Sequence, residues 1–237
     1  MNYTILPKPR IKNNRPLTVQ IYEYLRRVIV LNLVVPGDSF SENELSAHFK
    51  VSRQPIRDAI SKLANENLLV IAPQRGTYVN KISIKGLKEV CYLRGVLEGS
   101  AIENIANLDK RSFKKILREL EDCLDESKET DFTNNTSLFI ELDDKFHEII
   151  CKFSQCDIVW KTISNAKGNL DRIRALSFEE VSPIDRVISS HDHLYNLIAQ
   201  KNINEAKAFI HEHVFEVMET HKPIRIKHED FFDFSED

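Results

Sequence analysis

A chain of 237 residues with 42% hydrophobic side chains and six glycines has room for two domains of ordinary size and too much apolar content for a disordered protein. Its net charge of −3 argues against a general nucleic-acid binder, but residues 1–80 hold eleven basic against six acidic residues, a net +5 that leaves −8 for the rest. A basic head on an acidic body points to DNA at one end only. Four cysteines (Cys91, Cys123, Cys151, Cys156) without CxxC spacing read as reduced thiols of a cytoplasmic protein. The N-terminus lacks the apolar run of a signal peptide, and the longest apolar stretch, Val28 to Val35, is too short to span a bilayer.

In chain order, residues 1–14 read as a flexible basic arm carrying Lys8, Arg10 and Lys12. Residues 15–80 read as one small domain. Its first helix has Ile21, Leu25, Val28 and Ile29 at helical spacing, with Leu17 and Tyr22 as a hydrophobic staple around Thr18, and ends at Pro36-Gly37. Ser41 and Glu44 then form a capping box for a short helix with Leu45 and Phe49 on one face. Val51 plugs the turn, Ser52 is placed as N-cap of a second helix, and Pro55 falls in a first turn whose amides need no partner. Ile56, Ile60 and Leu63 face inward on that helix, while Arg53 and Arg57 share the outer face with Gln54 nearby. Two exposed arginines alone are what any solvated helix face offers. Here they sit at the N-terminal end of a helix set by a short neighbour, the arrangement of a helix-turn-helix recognition helix, where an Arg fork can read guanine or hold phosphate. Two strand-like runs, Leu68–Ile71 and Thr77–Val79, flank Pro73-Gln74-Arg75-Gly76 and make a hairpin with a basic tip, a wing.

The order Pro36-Gly37, Ser41-Glu42-x-Glu44-Leu45-Ser46, Val51-Ser52-Arg53-Gln54-Pro55-Ile56-Arg57-Asp58-Ala59-Ile60 and Arg75-Gly76-Thr77-x-Val79 resembles the winged helix-turn-helix of the GntR family of bacterial transcriptional regulators. The resemblance implies operator contacts from Arg53 and Arg57, supporting contacts from Ser52 and Gln54, and wing contacts from Arg75 and Gly76. Many relatives carry Arg where this chain has Asn43, which can hydrogen-bond a phosphate but brings no charge.

Residues 81–86 read as a linker. From residue 84 onward the spacing predicts an all-helical, antiparallel six-helix bundle, spanning about 84–107, 110–127, 134–153, 156–176, 183–201 and 203–220. Asp109 caps the second helix, Asn202 and Glu205 form a capping box before the last, and 177–182 is a loop closed by Pro183. Residues 222–237 form an acidic tail whose Phe231, Phe232 and Phe234 are either disordered or docked on a partner subunit.

Within the bundle, Asp143 and His147 lie four apart on one face. His191 and His213 stand equally far before and after the turn at Asn202, so an antiparallel pair sets them level. Three imidazoles and a carboxylate at one height suit zinc, with nickel or manganese as alternatives. Eight histidines invite chance pairings, but His193 and His211 fall out of this register. The pieces Arg94-x-x-x-Glu98, Asp143-x-x-Phe146-His147, His191-x-x-Leu194 and Glu205-Ala206…His213 are similar to the FCD domain of the FadR branch of the GntR family, in its six-helix VanR-like form. Over residues 87–221 that resemblance implies a dimerising domain in which Asp143, His147, His191 and His213 hold a divalent metal and an effector carboxylate meets it. Arg94 is the candidate second clamp on the carboxylate, against a plain salt bridge to Glu98. Arg172 and Arg174 are candidates to line the same pocket, against simple exposure.

The leading expectation is a metabolite-responsive repressor acting as a homodimer on a palindromic operator, with a small organic acid as effector and no membrane partner. A metal-dependent hydrolase with a DNA-targeting domain is the alternative, though no general base or nucleophile elbow stands at motif spacing. An architectural DNA binder that senses nothing is the third.

Overall fold

The computed structural model describes residues 6–7, 11–12, 14–181 and 184–235. Lys8 and Arg10 of the expected arm, and the loop-closing Pro183, lie outside the described residues.

The head is built from α1 (Leu17–Val30), β1 (Ser39–Phe40), α2 (Glu42–Phe49), α3 (Arg53–Asn65), β2 (Leu69–Ala72) and β3 (Gly76–Val79). β2 and β3 form the expected antiparallel wing, with Leu69 opposite Val79 and Ala72 opposite Gly76. β1, too short for any alternation to show, adds a third strand on the far side of β3. Ile21, Leu25, Ile29, Leu45, Ile56, Leu63 and Leu68 are fully buried between the helices and this sheet. Lys50 closes α2 in the left-handed region (φ 57°), and Gln74 and Gly76 (φ 61° and 125°) turn the wing tip.

Three local expectations change. α1 starts at Leu17 directly after Pro16, so Thr18 lies inside the helix and Leu17 stays exposed, leaving no staple at that point. Ser41 Oγ does accept from the Glu44 amide, but Ser52 occupies its N-cap position without a side-chain cap bond. The described part of the arm is docked rather than loose. Buried Gln20 takes the Lys12 amide at 2.6 Å and donates to the Lys12 carbonyl at 2.8 Å, Tyr24 donates to the Pro7 carbonyl, and Leu6 enters the head core.

The body runs β4 (Ile82–Ser83), α4 (Ile84–Ala106), α5 (Lys110–Glu129), α6 (Thr136–Lys152), α7 (Ile158–Ala166), α8 (Gly168–Val181), α9 (Ile184–Ala199), α10 (Ile203–Phe215) and α11 (Val217–Lys227), then a short 3-10 turn (Glu229–Phe231) and β5 (Phe232–Asp233). The described residues therefore hold eight body helices where six were expected, because the fourth and the last each break in two. At Lys167 the backbone leaves helical values (φ −85°, ψ 8°) but keeps two helical hydrogen bonds: its amide still reaches the Ile163 carbonyl, and its carbonyl takes the Asp171 amide. Apolar spacing runs on through Ile163, Leu170 and Ile173, so the break has no signature in hydropathy. Gly168 fits closely here, since a Cβ would lie 3.0 Å from the side chain of the head's Leu68. The second break, at Glu216, swaps a helical bond for one from the Glu216 amide to the His213 carbonyl.

α8 runs through to Val181, so residues 177–181 are helical and not loop. Asp109 caps α5 through the amides of Arg111 and Ser112, whereas Asn202 makes no side-chain cap bond and its amide sits near Gln200. The described part of the tail is not loose: it packs in part on its own body, while Phe234 stays exposed. Phe232 is fully buried, and β5 pairs in parallel with β4, Ile82 opposite Phe232, so the far end of the body closes on the segment joining head to body.

α8 also meets the head directly. Arg26 of α1 donates to Asp171 at 2.8 Å, Asn32 donates to the Arg172 carbonyl, and Arg172 Nη1 donates to the Asn80 carbonyl at 2.7 Å.

Candidate metal site and DNA-contacting face

α6, α9 and α10 bring His147, His191 and His213 together, with ligand atoms all within 4.8 Å of one another. The register expected about Asn202 is what sets His191 and His213 level, their ring centroids 5.0 Å apart. His193 and His211 are outside the cluster, against Phe209 and Phe215.

Each imidazole is oriented from behind. His147 Nδ1 is 2.7 Å from Glu98 Oε2, and the same buried carboxylate accepts from Arg94 Nε at 2.7 Å. His213 Nδ1 faces Ser190 Oγ at 3.2 Å, and His191 stacks on Phe146 with centroids 4.1 Å apart. These contacts turn Nε2 of His147 and of His213 toward each other, 3.4 Å apart. A carboxylate behind a histidine fixes the tautomer that presents the other nitrogen to a metal. Glu98 is thus a site residue whose role was not read from the sequence. Its spacing to Arg94 was visible, but its bond to His147 spans 49 positions.

Electrostatics favour the ligand forms. Burial, reinforced by the neighbouring His147, pushes His213 down to about 3, and burial holds His191 well below the histidine range. Burial would raise Glu98 and Asp143, but Arg94 and then His147 hold Glu98 at about 2, and Arg174, His147 and His191 hold Asp143 well below the carboxylate range. At neutral pH the site presents neutral imidazoles at His191 and His213 and ionised carboxylates at Glu98 and Asp143.

Does this set fit a metal? His191 Nε2 is buried with no hydrogen-bond partner, an arrangement that costs free energy unless something ligates it. Three imidazoles converging in this way fit a divalent ion such as zinc. Asp143 stands beside them, Oδ1 3.5 Å from His191 Nε2, while Oδ2 accepts from Arg174. The expected fourth ligand is therefore adjacent to the imidazoles but already engaged by a guanidinium.

A cavity of about 340 Å³ opens on this cluster. Phe139, Leu170, Val187, Val214, Val217 and Pro223 supply its apolar wall, and Arg94, Asp143, His147, Arg174 and His213 its polar one. Arg94 both lines the cavity and pairs with Glu98, combining the two roles weighed for it. Arg174 lines the cavity too. Arg172 does not: it is fully buried at the seam with the head, under Asn80 and against Phe231.

On the head, Asn43, Ser52, Arg53, Gln54, Arg57, Arg75 and Gly76 are all exposed. Arg53 opens α3, Gln54 donates to Asp58, and Arg57 Nε donates to Glu42 at 2.8 Å, which fixes its fork on the outer face. The Tyr78 hydroxyl donates to the Arg75 carbonyl and braces the wing tip.

A winged helix-turn-helix joined to an all-helical body defines a DNA-binding regulator of transcription. The comparisons agree with this over most of the chain. The profile of "Bacterial regulatory proteins, gntR family" matches residues 17–79, and that of the FCD domain matches residues 89–216. The chain is 34% identical over 223 residues to the HTH-type transcriptional repressor RspR of Escherichia coli (strain K12), covering 94% of this chain and 96% of that one. Among solved structures it resembles E. coli McbR/YncC (TM-score 0.65, 19% identity, 92% and 99% of the two chains). It resembles equally a transcriptional regulator GntR from Rhodococcus sp. RHA1 (TM-score 0.65, 18% identity, 84% and 94%). The chain belongs to the GntR family of bacterial regulatory proteins, and its body is an FCD domain. Its relatives are named as transcriptional regulators and not as enzymes, which removes the hydrolase reading. No helix among the described residues is long and apolar enough to cross a membrane.

Proposed function

We propose that this protein is a cytoplasmic, metabolite-responsive repressor that binds a palindromic operator as a homodimer and senses a small carboxylate at a metal centre in its body. The observation that carries the reading is the buried Nε2 of His191, without a hydrogen bond, beside the facing Nε2 atoms of His147 and His213, two residues that line a cavity. The repressor sign is supported by the name of the E. coli relative.

His147, His191 and His213 would hold the ion, zinc first, with Asp143 as fourth ligand. A bound divalent ion supplies a positive coordination position for a carboxylate oxygen. Arg94, held by Glu98, offers a second contact to that anion, and the apolar wall excludes water around the rest of the molecule. In the head, Arg53 and Arg57 would read the operator, Ser52, Gln54 and Asn43 would hold backbone, and Arg75 and Gly76 would carry the wing contact. The ligand must favour one head arrangement over another for binding to change transcription.

The test has two arms on the purified full chain. Zn²⁺ in excess should raise the melting temperature over EDTA-treated protein, and His147→Ala or His213→Ala should abolish the rise while His193→Ala keeps it. Selection from random duplex DNA should return one palindromic site, released in the presence of Zn²⁺ by members of a panel of small organic acids. An unmoved melt would remove the metal centre; a recovered site that no acid releases would remove the sensing role.

A further inference from the structure

The buried charges around α8 form a continuous path from the histidine cluster to the recognition helix. Arg174 donates through Nη1 to Asp143 and through Nη2 to Asp171 and, at 2.7 Å, to Asp144. Asp171 is fully buried and shared: Lys167 reaches both of its oxygens, at 2.9 and 2.7 Å, and Arg26 of the head takes Oδ2 at 2.8 Å. Arg26 Nε then donates to Glu66 at 3.0 Å. Glu66 caps the C-terminal end of α3 and also accepts from the Tyr22 hydroxyl of α1. The whole path crosses the seam where Gly168 lets Leu68 approach.

We infer that this path, Asp143–Arg174–Asp171–Arg26–Glu66, is the coupling device of the protein, with Arg174 as the residue that senses filling of the pocket and Arg26 as the one that delivers it to α3. The inference rests on the metal reading of the histidine cluster. Asp143 can meet an ion through Oδ1, on the His191 side, while Oδ2 keeps Arg174, but the ion then draws on the same carboxylate charge and weakens that pairing. Arg174 is largely buried and already bonded to Asp144 and Asp171, so the weakened pairing shifts it toward those two carboxylates. Any gain at Asp171 competes with Arg26 for the same carboxylate. Arg174 also has a spare donor, since its Nε is buried without a hydrogen-bond partner while the residue lines the cavity. An anion in the cavity therefore pulls on the same residue as the metal. At the far end, α3 is a rigid rod with its cap on Glu66 and Arg53 at its other end, so a shift at the cap re-aims the DNA-reading end.

The device makes a reciprocal demand: zinc must change operator affinity, and operator must change zinc affinity by the same factor. The experiment uses full-length protein and its selected operator, with affinity read by fluorescence anisotropy at fixed ionic strength in EDTA and in saturating Zn²⁺. The zinc-induced melting shift is read separately as a measure of site filling. The wild type should show a ratio of operator affinities of roughly five-fold or more. Arg26→Met, which leaves every pocket residue in place, should keep the melting shift and operator binding in EDTA while its ratio falls to within about two-fold of unity. Should Arg26→Met fail to fold, Glu66→Gln decides alone, because its amide oxygen can still accept from Arg26 and its NH2 can donate to a turned Tyr22 hydroxyl, so the change removes chiefly the charge at the head end; its ratio must fall too. An unchanged ratio in the variant that folds overturns the path and leaves the metal reading standing, as does a wild type whose melt responds to zinc while its operator affinity does not. A wild type whose melt ignores zinc overturns the metal reading itself, and the path with it.

Discussion

The two working regions of this regulator are built on opposite terms. On the DNA-contacting face the chemistry sits on exposed side chains with at most a light tether, Arg57 to Glu42 or Gln54 to Asp58. In the body it sits on groups removed from water, where Glu98, Asp143, Asp171 and Arg174 each serve at least two partners. On the proposed function, the difference follows from what each region would meet. Phosphate and base edges come with their own charge and need donors left accessible, whereas a small ligand must be told apart from water and needs donors fixed in a dry cavity. A surface site can thus lose a member cheaply, and a buried network cannot.

The sharpest break in that contrast would come at Glu98. Glu98→Ala strands Arg94 in the interior and frees His147 to turn, so it should cost roughly 3–5 kcal/mol in urea unfolding. A loss below ~1 kcal/mol would place the pocket in the same energetic class as the surface. Next in size is the head: Arg53→Ala should weaken operator binding by about 1–3 kcal/mol by footprinting or anisotropy, with no comparable loss in the urea melt. A variant that lost stability instead would make Arg53 structural.

Acid sharpens the contrast from the other side. His213 is held at about 3, against an ordinary value near 6.5, so below pH 6.5 the unfolded chain takes up a proton that the folded pocket refuses. Stability is therefore complete above about pH 6.5 and declines as pH falls toward 3, by about 2 kcal/mol at pH 5 from this residue. Glu98, held at about 2, adds a loss of the same sign below the ordinary carboxylate range. Urea melts of EDTA-treated protein between pH 7.5 and 5 measure the first part, and a flat profile there would mean the imidazole protonates freely. The smallest effect belongs to Glu42→Ala. It breaks the exposed pair with Arg57, should cost less than about 1 kcal/mol of stability, and should tighten operator binding slightly by removing a negative charge beside the phosphates. A loss as large as that at Glu98 would erase the distinction between the regions.

The same contrast explains what could be read in advance. The head was legible because its signals are local: a cap three residues from its partner, an Arg pair four apart, a turn rich in Pro and Gly. The histidine register was legible for a similar reason, since symmetry about one turn needs only counting. Helix breaks at Lys167 and Glu216 were not, because the apolar rhythm continues across both and the chain keeps a hydrogen bond through each. The partners that orient the site, Glu98 behind His147 and Ser190 behind His213, lie on other helices and leave no spacing to count. Arg172 shows the converse error. Two residues from Arg174 on one helix, it points to a different neighbour altogether, because a helix turns by more than half a circle over that step.

The parallel pairing of β5 with β4 carries a consequence for the order in which the protein is made. The head leaves the ribosome first and holds its own core, so it can fold while the body is still being synthesised. The segment joining the two gains its strand partner only when Phe232 and Asp233 emerge, after every helix of the body. A nascent chain that stops short of Phe232 would thus carry a folded head whose join to the body lacks that pairing, and only synthesis through Asp233 closes it.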